Sequence, residues 1–350
     1  MITDELYMKR CLQLAGMGAG TVSPNPMVGA IVVYDQQIIG EGFTSPYGGP
    51  HAEVNAIEEV IQKYDDAEAF RMFKDSTVYV SLEPCAHFGK TPPCADMLVR
   101  YQFRRVVIAC QDPFAKVNGE GIRRLESAGI QVTVGVLEQE AKWLNRRFFT
   151  RLAYHRPYVI LKWAQTSNGF FAPLENTQQW ISNVASKQLV HKWRSEEDAI
   201  LIGTKTALID NPSLTVRNWL GRHPKRVLID KNLSVQADAA IFSPDIETFV
   251  FNAKQTDWSS HLKYIQLENF DLYLPQNILY QLHLMDVQSL IIEGGAKTLQ
   301  QFIDAGLWDE ARIFYGKEMW ETGIRAPQLQ GKRREQYAVG SDLVETIVKY

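Results

Sequence analysis

The amino-acid sequence predicts a protein of the α/β class with two domains. At 350 residues the chain is longer than one hydrophobic core usually serves, so two domains of ordinary size are expected. Both halves alternate apolar runs of strand length with segments whose apolar residues recur at helical spacing. This alternation is typical of a sheet covered by helices.

The first domain is predicted over residues 1–150, with a mixed or parallel sheet and helices on both faces. An amphipathic helix opens the chain, and the continuous apolar run at 27–33 indicates a buried strand. A turn then leads to a hairpin partner at 38–43. The other predicted elements are a helix from about residue 50, strands at 77–82, 105–110 and 130–134, and helices at 119–128 and 138–149.

A polar and basic stretch at 150–157 is predicted to join the domains, and the second domain is predicted over 157–350. Its predicted strands lie near 158–163, 199–203, 226–230, 248–251, 264–266, 289–293 and 310–315. No Gly-x-Gly-x-x-Gly motif follows the first of these strands, which argues against a Rossmann dinucleotide domain.

Composition excludes several classes of protein. A formal net charge of −3, with 45% hydrophobic and 22% charged residues, is typical of a soluble globular protein. That charge argues against nucleic-acid binding by bulk attraction. No apolar stretch reaches the roughly 18 residues of a membrane span, and residues 1–15 are too charged for a signal peptide. Four cysteines argue against a disulfide framework and favour the reducing cytoplasm.

The most informative motif predicts a zinc site made by His51, Cys85 and Cys94. Three protein ligands leave one tetrahedral position open, which is how a catalytic zinc site is built. Glu53 lies two residues after the histidine and is predicted to carry protons, as in zinc deaminases. Zinc lowers the pKa of a bound water to about 7, so the predicted chemistry is hydrolytic. The spacing departs from the common deaminase signature, because eight residues rather than two separate the cysteines.

These residues also have other interpretations. A His-x-Glu pair alone is typical of a surface or capping histidine, and the zinc could be structural. Cys85 and Cys94, however, flank a loop rich in Gly, Pro and Lys, which is a poor place for inert core thiols. Cys11 and Cys110 are interpreted as such core residues. His87 is a rival ligand, although its place between the cysteines suits a substrate contact better.

Four segments make the chain resemble a known family. They are SPNPMVGAIVV, GGPHAEVNAI, VSLEPCAHFGKTPPC, and CQDP followed by GEGIRRLESAGI. They resemble the bifunctional deaminase/reductase family of riboflavin biosynthesis, which shares the long cysteine spacing. The resemblance implies a cytidine-deaminase-like α/β/α domain followed by a dihydrofolate-reductase-like α/β domain. It also implies hydrolytic deamination of a phosphoribosylamino-pyrimidine, then NADPH-dependent reduction of its ribosyl side chain to ribityl.

For the deaminase, the resemblance implies that His51, Cys85 and Cys94 hold one zinc ion per chain and that Glu53 is the catalytic proton shuttle. Further substrate contacts are implied on three residues. They are Asn25, Lys90 and Asp112, with Lys90 supplying a point charge for the phosphate. Asn25 stands between two prolines, so it is equally typical of a turn.

For the reductase, the resemblance implies catalytic roles for Lys162 and Asp210 as polar organisers near the reacting carbon. The implied substrate contacts are Gln178, Arg194, Leu214, Arg217 and Glu293. The implied NADPH contacts are Gln165, Trp180, Thr206, Asp210, Gly295, Ala296, Lys297, Thr298, Leu299, Gln300 and Gln301. Independently of the family, Arg194 and Arg217 can bind a phosphate through their N–H forks, although an arginine in a soluble protein is by default a solvated surface group. A Gly-Gly pair before a predicted helix at 296–305 offers backbone amides to cofactor phosphates, or is only a tight turn.

Several positions depart from the family pattern: Thr44, Phe114, Asn168 and Lys231. None is a zinc ligand or the proton shuttle. One alternative is a deaminase of another cytosine or adenine substrate whose C-terminal half is an inactive binding module. Another is a zinc-stabilised scaffold with no activity. The expected partners are a small-molecule substrate and further copies of this chain, without nucleic acid or membrane.

Overall fold

The computed structural model describes residues 3–86, 92–113, 118–175, 177 and 179–350. The chain divides into two compact units, Met1–Tyr154 and His155–Tyr350, and the division falls in the stretch where the sequence predicts the domain boundary. Among the described helices, none combines the length and the hydropathy that a membrane crossing requires.

The first unit contains a five-stranded mixed sheet with helices packed against it. Its strands are β1 Gly29–Tyr34, β2 Gln37–Phe43, β3 Thr77–Val80, β4 Arg105–Ile108 and β5 Gln131–Val134. Its helices are α1 Asp4–Gly16, α2 Ala52–Phe73, α3 Cys94–Tyr101, α4 Glu120–Ser127, α5 Glu138–Leu144 and α6 Arg146–Tyr154. The strand order is β2-β1-β3-β4-β5. The predicted hairpin is confirmed, since β2 runs antiparallel to β1, while β3, β4 and β5 are mutually parallel.

Close backbone contact between β2 and α2 positions the start of α2. A Cβ added at Gly42 would lie 2.3 Å from the carbonyl oxygen of Ala52, and one at Gly40 would lie 2.3 Å from that of Ala56. Only glycine therefore lets the helix approach this strand so closely. The contact holds the first turn of α2, and His51 immediately before it, at a fixed place beside the sheet.

Two details of the first unit differ from the predictions. Helix α3 begins at Cys94 itself and was not predicted. The single helix predicted over 138–149 is wrong, because the structure has two helices separated at Asn145. The buried Asn145 side chain accepts a hydrogen bond from the Met27 N–H and donates one to its carbonyl oxygen, both at 2.8 Å. A tertiary contact therefore decides where α5 ends.

The second unit is built on a ten-stranded, mainly parallel sheet. Its strands are β6 Tyr158–Gln165, β8 Ala199–Gly203, β9 Lys225–Ile229, β10 Thr248–Asn252, β11 Asp257–Trp258, β12 Leu262–Gln266, β13 Ser289–Gly294, β14 Glu310–Tyr315, β16 Lys332–Val339 and β17 Asp342–Val348. A small separate sheet pairs β7 Phe170–Ala172 with β15 Ile324–Arg325. The helices are α7 Val184–Glu196, α8 Thr204–Asp210, α9 Leu274–Leu284 and α10 Ala296–Asp304, with a 3-10 turn at Ala240–Phe242.

The strand order β11-β12-β10-β9-β8-β13-β6-β14-β17-β16 places β13 between β8 and β6. The strands from β12 to β14 are parallel, and antiparallel strands close both edges. Chain order reverses beside β13, and such switch points at the carboxyl ends of parallel strands are where α/β sheets bind ligands. The seven predicted strands of this unit are present. Strand β16 was missed because its side chains are almost all exposed and lack apolar alternation.

Candidate active sites

His51, Cys85 and Cys94 converge in the first unit. His51 is the N-cap of α2, Cys85 follows the end of β3, and Cys94 is the first residue of α3. The Nδ1 atom of His51 lies 3.6 Å from Sγ of Cys85 and 3.3 Å from Sγ of Cys94, and all three ligand atoms are within 4.8 Å of one another. Ordinary Zn–N and Zn–S bonds at tetrahedral angles hold nitrogen and sulfur about 3.5 Å apart. The cluster therefore fits one zinc ion.

One thiol of the cluster ionises readily. A hydrogen bond from Cys94 lowers the pKa of the Cys85 thiol to about 4. The hydrogen bond to Cys85 raises the pKa of His51 to about 9, while the same pairing of thiols raises the pKa of Cys94. A thiolate is thus already favoured without a metal, and two sulfurs with one imidazole are a donor set that zinc prefers.

Glu53 lies in the first turn of α2, beside the cluster but outside its ligand set. Its side chain is only 4% exposed and hydrogen-bonds with Cys94. Burial raises the pKa of its carboxyl to about 7. A buried carboxyl beside a three-ligand site, but outside the ligand set, is what a proton carrier requires.

Two other residues predicted for the deaminase, Asp112 and Asn25, lie outside the cluster of His51, Cys85 and Cys94. The buried Asp112 follows β4, and its N–H donates to Oε2 of Glu83 at 3.2 Å. Asn25 precedes β1, where its N–H donates to the carbonyl oxygen of Val22 in a turn. Lys90, like His87 and Phe114, lies outside the described residues.

Thr44 and Asn168, two of the departures from the family pattern, make hydrogen bonds to the backbone of other segments. The Thr44 hydroxyl accepts a hydrogen bond from the N–H of Val28 at 3.1 Å. The Asn168 side-chain amide donates to the carbonyl oxygen of Trp320 at 2.7 Å. Both residues therefore hold neighbouring backbone in place.

A cavity of about 1250 Å³ opens in the second unit at the carboxyl ends of β6, β8, β9 and β13. This is the position that the reversal of strand order predicts for a ligand. Its volume exceeds that of a usual small-molecule pocket, about 300–1,000 Å³. The cavity can therefore hold two ligands side by side.

Lys162, Arg194 and Glu293 form a charged group on the wall of the cavity. Arg194 donates two hydrogen bonds to the Glu293 carboxylate, at 2.8 and 2.7 Å, and the Lys162 ammonium lies 3.7 Å from the same carboxylate. Burial opposes ionisation of Glu293, but the two cations outweigh it and lower the pKa of its carboxyl to about 2. Burial lowers the pKa of Lys162, against the attraction of Glu293. The Arg194 fork is thus bonded to protein rather than open to a phosphate.

The backbone around α10 forms a narrow cradle. The N-cap of α10 is Gly295, and no side-chain hydrogen bond caps this end of the helix. A Cβ added at Gly203 would lie 2.5 Å from Oγ1 of Thr298, and one at Gly295 would lie 3.2 Å from Oγ1 of Thr206. Small residues with uncapped amides at a helix N-terminus suit the phosphates of a dinucleotide.

Most residues predicted for the reductase meet at this cavity. Those that line it are Lys162, Trp180, Arg194, Thr206, Asp210, Leu214, Arg217, Glu293, Gly295, Ala296, Lys297, Thr298 and Gln301. Three predicted cofactor contacts do not line it: Gln165 accepts a hydrogen bond from Trp163, Leu299 is buried in the core, and Gln300 bonds to Asp304. Gln178 lies outside the described residues.

Sequence reasoning missed His191, which also lines the cavity. Its Nδ1 accepts a hydrogen bond from the N–H of Arg217 at 3.3 Å. Burial, reinforced by the positive charges of Arg194 and Arg217, lowers its pKa. The spacing of His191 and Arg194 was a signal for it, because His191 precedes Arg194 by three residues and residues three apart on a helix share a face.

A zinc-deaminase cluster in one unit and a cofactor-sized cavity at a parallel sheet in the other define a two-domain enzyme that joins a deaminase to a reductase. The family model for the cytidine and deoxycytidylate deaminase zinc-binding region matches residues 1–110, and the model for the RibD C-terminal domain matches residues 157–316. The chain belongs to the RibD family of riboflavin biosynthesis proteins, and it is a bifunctional deaminase and reductase.

Individual relatives match along nearly the whole chain. The riboflavin biosynthesis protein RibD of Aquifex aeolicus is 37% identical, covering 99% of each chain, and that of Escherichia coli is 34% identical, covering 92% of this chain and 90% of its own. A crystal structure of a diaminohydroxyphosphoribosylaminopyrimidine deaminase/5-amino-6-(5-phosphoribosylamino)uracil reductase from Thermotoga maritima superposes with a TM-score of 0.89. It is 34% identical and covers 99% of this chain and 98% of that one. These matches confirm the predicted fold class and favour the bifunctional enzyme over the alternative with an inactive binding module.

Proposed function

We propose that the first unit removes an amino group from 2,5-diamino-6-(5-phosphoribosylamino)pyrimidin-4-one and that the second unit reduces the ribosyl side chain of the product with NADPH. The observation that carries the proposal is the presence in one chain of the His51, Cys85 and Cys94 cluster, with buried Glu53 beside it, and the charged cavity of the second unit. The similar Thermotoga maritima enzyme is likewise a diaminohydroxyphosphoribosylaminopyrimidine deaminase joined to a 5-amino-6-(5-phosphoribosylamino)uracil reductase.

In the deaminase, zinc held by His51, Cys85 and Cys94 would supply a Lewis acid that activates water. Glu53 takes up the proton released from that water. It delivers this proton to a ring nitrogen, and a second proton, taken from the hydroxyl group that adds to the ring carbon, to the amino group that leaves as ammonia. The burial of Glu53 excludes competing solvent from this transfer. Asp112, Asn25 and Lys90 are proposed to hold the substrate.

In the reductase, NADPH would supply the hydride, and the protein supplies position and polarity. The uncapped amides at the start of α10 bind cofactor phosphates. Lys162 and Asp210 orient the polar groups at the reacting carbon. Arg217, whose side chain is exposed at the cavity, is better placed than Arg194 to bind the substrate phosphate.

A coupled assay tests the proposal. The pyrimidine substrate is incubated with the protein, with and without NADPH, while ammonia and nicotinamide absorbance are followed together. We expect ammonia release in both samples and NADPH oxidation only after deaminated product has formed. Consumption of NADPH without any pyrimidine, or no ammonia in either sample, would contradict the proposal.

Removal of zinc is expected to separate the two activities. Because the cluster and the cavity belong to different units, a chelator should abolish ammonia release and leave reduction of pre-deaminated substrate unchanged. Metal analysis before chelation should find about one zinc per chain. Restored deamination on adding zinc back is the control for irreversible damage. Equal loss of both activities would show that the metal supports the whole fold.

We also propose that the protein is a cytoplasmic homo-oligomer whose domains cover 1–150 and 157–350. None of the four cysteines forms a disulfide, which supports a reducing compartment. Light scattering tests the oligomer, since a monomer would have a mass of 39.9 kDa. Fractionation of cells tests the location.

A further inference from the structure

Glu83 makes an unusual set of contacts in the deaminase unit. It lies between β3 and Cys85 and is only 4% exposed. Its carboxylate accepts hydrogen bonds from four backbone N–H groups. These belong to Asp112 at 3.2 Å, Gly119 at 3.0 Å, Gly121 at 2.9 Å and Ile122 at 3.3 Å. The side chain therefore joins the end of β4 to the start of α4.

The backbone near Glu83 is held equally closely. Its own N–H donates to the carbonyl oxygen of Cys110 at 3.0 Å. A Cβ added at Gly121 would lie 2.1 Å from the carbonyl oxygen of Pro84, so only glycine allows this approach. The segment that carries Cys85 is thus fixed against the same two elements that the Glu83 carboxylate connects.

Only a carboxylate satisfies this arrangement. Two ionised carboxylate oxygens offer acceptor sites for all four N–H groups and carry no hydrogen of their own. A glutamine would present its amide hydrogens to one pair of N–H groups, so two hydrogen bonds would be lost and two buried donors left unpaired. The size of the side chain alone therefore does not explain its role.

We infer that Glu83 is a positioning residue of the deaminase, which holds Asp112 at a fixed position relative to the zinc ligand Cys85. This inference rests on the proposed function, in which Asp112 contacts the substrate. A displacement of about 1 Å in such a contact can cost on the order of 100-fold in rate. Glu83 therefore acts on substrate binding through the position of Asp112, without touching the reacting atoms.

The test compares Glu83→Gln with Glu120→Gln, a glutamate of α4 whose side chain is 46% exposed and pairs with Arg123. In Glu83→Gln we expect KM for deamination to rise and kcat/KM to fall on the order of 100-fold. Zinc content and reduction of pre-deaminated substrate should stay at wild-type values. Glu120→Gln should change none of these quantities. Glu83→Asp keeps the carboxylate and should recover part of the activity, so it carries the test if the glutamine variant does not fold.

A double variant separates positioning from a merely structural role. If Glu83 acts through Asp112, Glu83→Gln should cost little in kcat/KM once Asp112→Asn is present, because coupled residues are not additive. Additive losses, loss of zinc, or an unchanged kcat/KM in Glu83→Gln would each overturn the inference. If wild-type protein releases no ammonia from the pyrimidine, the proposed function has failed, and the inference falls with it.

Discussion

Replacing Glu53 with glutamine is expected to reduce ammonia release on the order of 1,000-fold, with zinc content unchanged. Positioned general acids and bases contribute about 100-fold to 10,000-fold to a rate, and glutamine cannot carry the proton. The side chain is buried beside the cluster but is not a ligand, so the His51, Cys85 and Cys94 site should survive the change. Ammonia release, metal content and the reduction of pre-deaminated substrate are measured on the same preparation.

The matched control is Glu58→Gln, on the exposed surface of the same helix α2. This variant should keep both activities. If Glu53→Gln released ammonia at the wild-type rate, Glu53 would not be the proton carrier. If it lost zinc together with activity, the loss would be explained by the metal rather than by proton transfer.

Replacing Glu293 with glutamine is expected to abolish reduction and to lower the free energy of unfolding of the second unit by about 3–5 kcal/mol, the cost of breaking a buried ion pair. The Lys162 and Arg194 cations would lose the carboxylate that they share. Deamination takes place in the other unit and should continue. NADPH oxidation, ammonia release and denaturant unfolding provide the three measurements.

The stabilisation by Glu293 should depend on pH with a defined sign. Its pKa is lowered to about 2 in the folded protein, from about 4.3 in an unfolded chain. The contribution of ionised Glu293 to the free energy of unfolding is therefore fully present above about pH 4.3 and is lost as the pH falls towards 2. This contribution amounts to about 3 kcal/mol. The difference in unfolding free energy between wild type and Glu293→Gln should shrink over that range.

Asp304→Asn is the control for this pH dependence, because Asp304 is exposed and accepts a hydrogen bond from Gln300. Its unfolding free energy should follow that of the wild type at every pH. A constant difference between wild type and Glu293→Gln from pH 6 to pH 2 would contradict the lowered pKa.

The zinc cluster was predictable from sequence because its chemistry is visible in residue types and their order. Cys85 and Cys94 flank a loop that no apolar core would tolerate, and His51 precedes a clear helical pattern. The helix that begins at Cys94 was missed, since the prediction treated this cysteine only as the end of a loop. The break at Asn145 was not predictable either, because its partner, Met27, is 118 residues away.

The reductase residues show the limit of sequence more clearly. Arg194 was predicted as a substrate contact able to bind a phosphate, with a solvated surface arginine as the alternative, whereas in the structure its guanidinium is bonded to Glu293. Leu299 and Gln300 follow the Gly-Gly motif in sequence, but the turn of the helix directs them away from the cavity while Gln301 returns to it.

The sequence by itself predicted the class of fold and the zinc donor set, because strand alternation and motif order are local properties of the chain, whereas the two activities followed from the resemblance of its motifs to a known family. Only the tertiary structure decided which groups pair with the buried carboxylates. The Glu83 carboxylate meets four N–H groups and Glu293 meets two cations because distant segments pack together. Such pairings depend on distances of a few ångströms, since buried charges are stable only when they are closely paired.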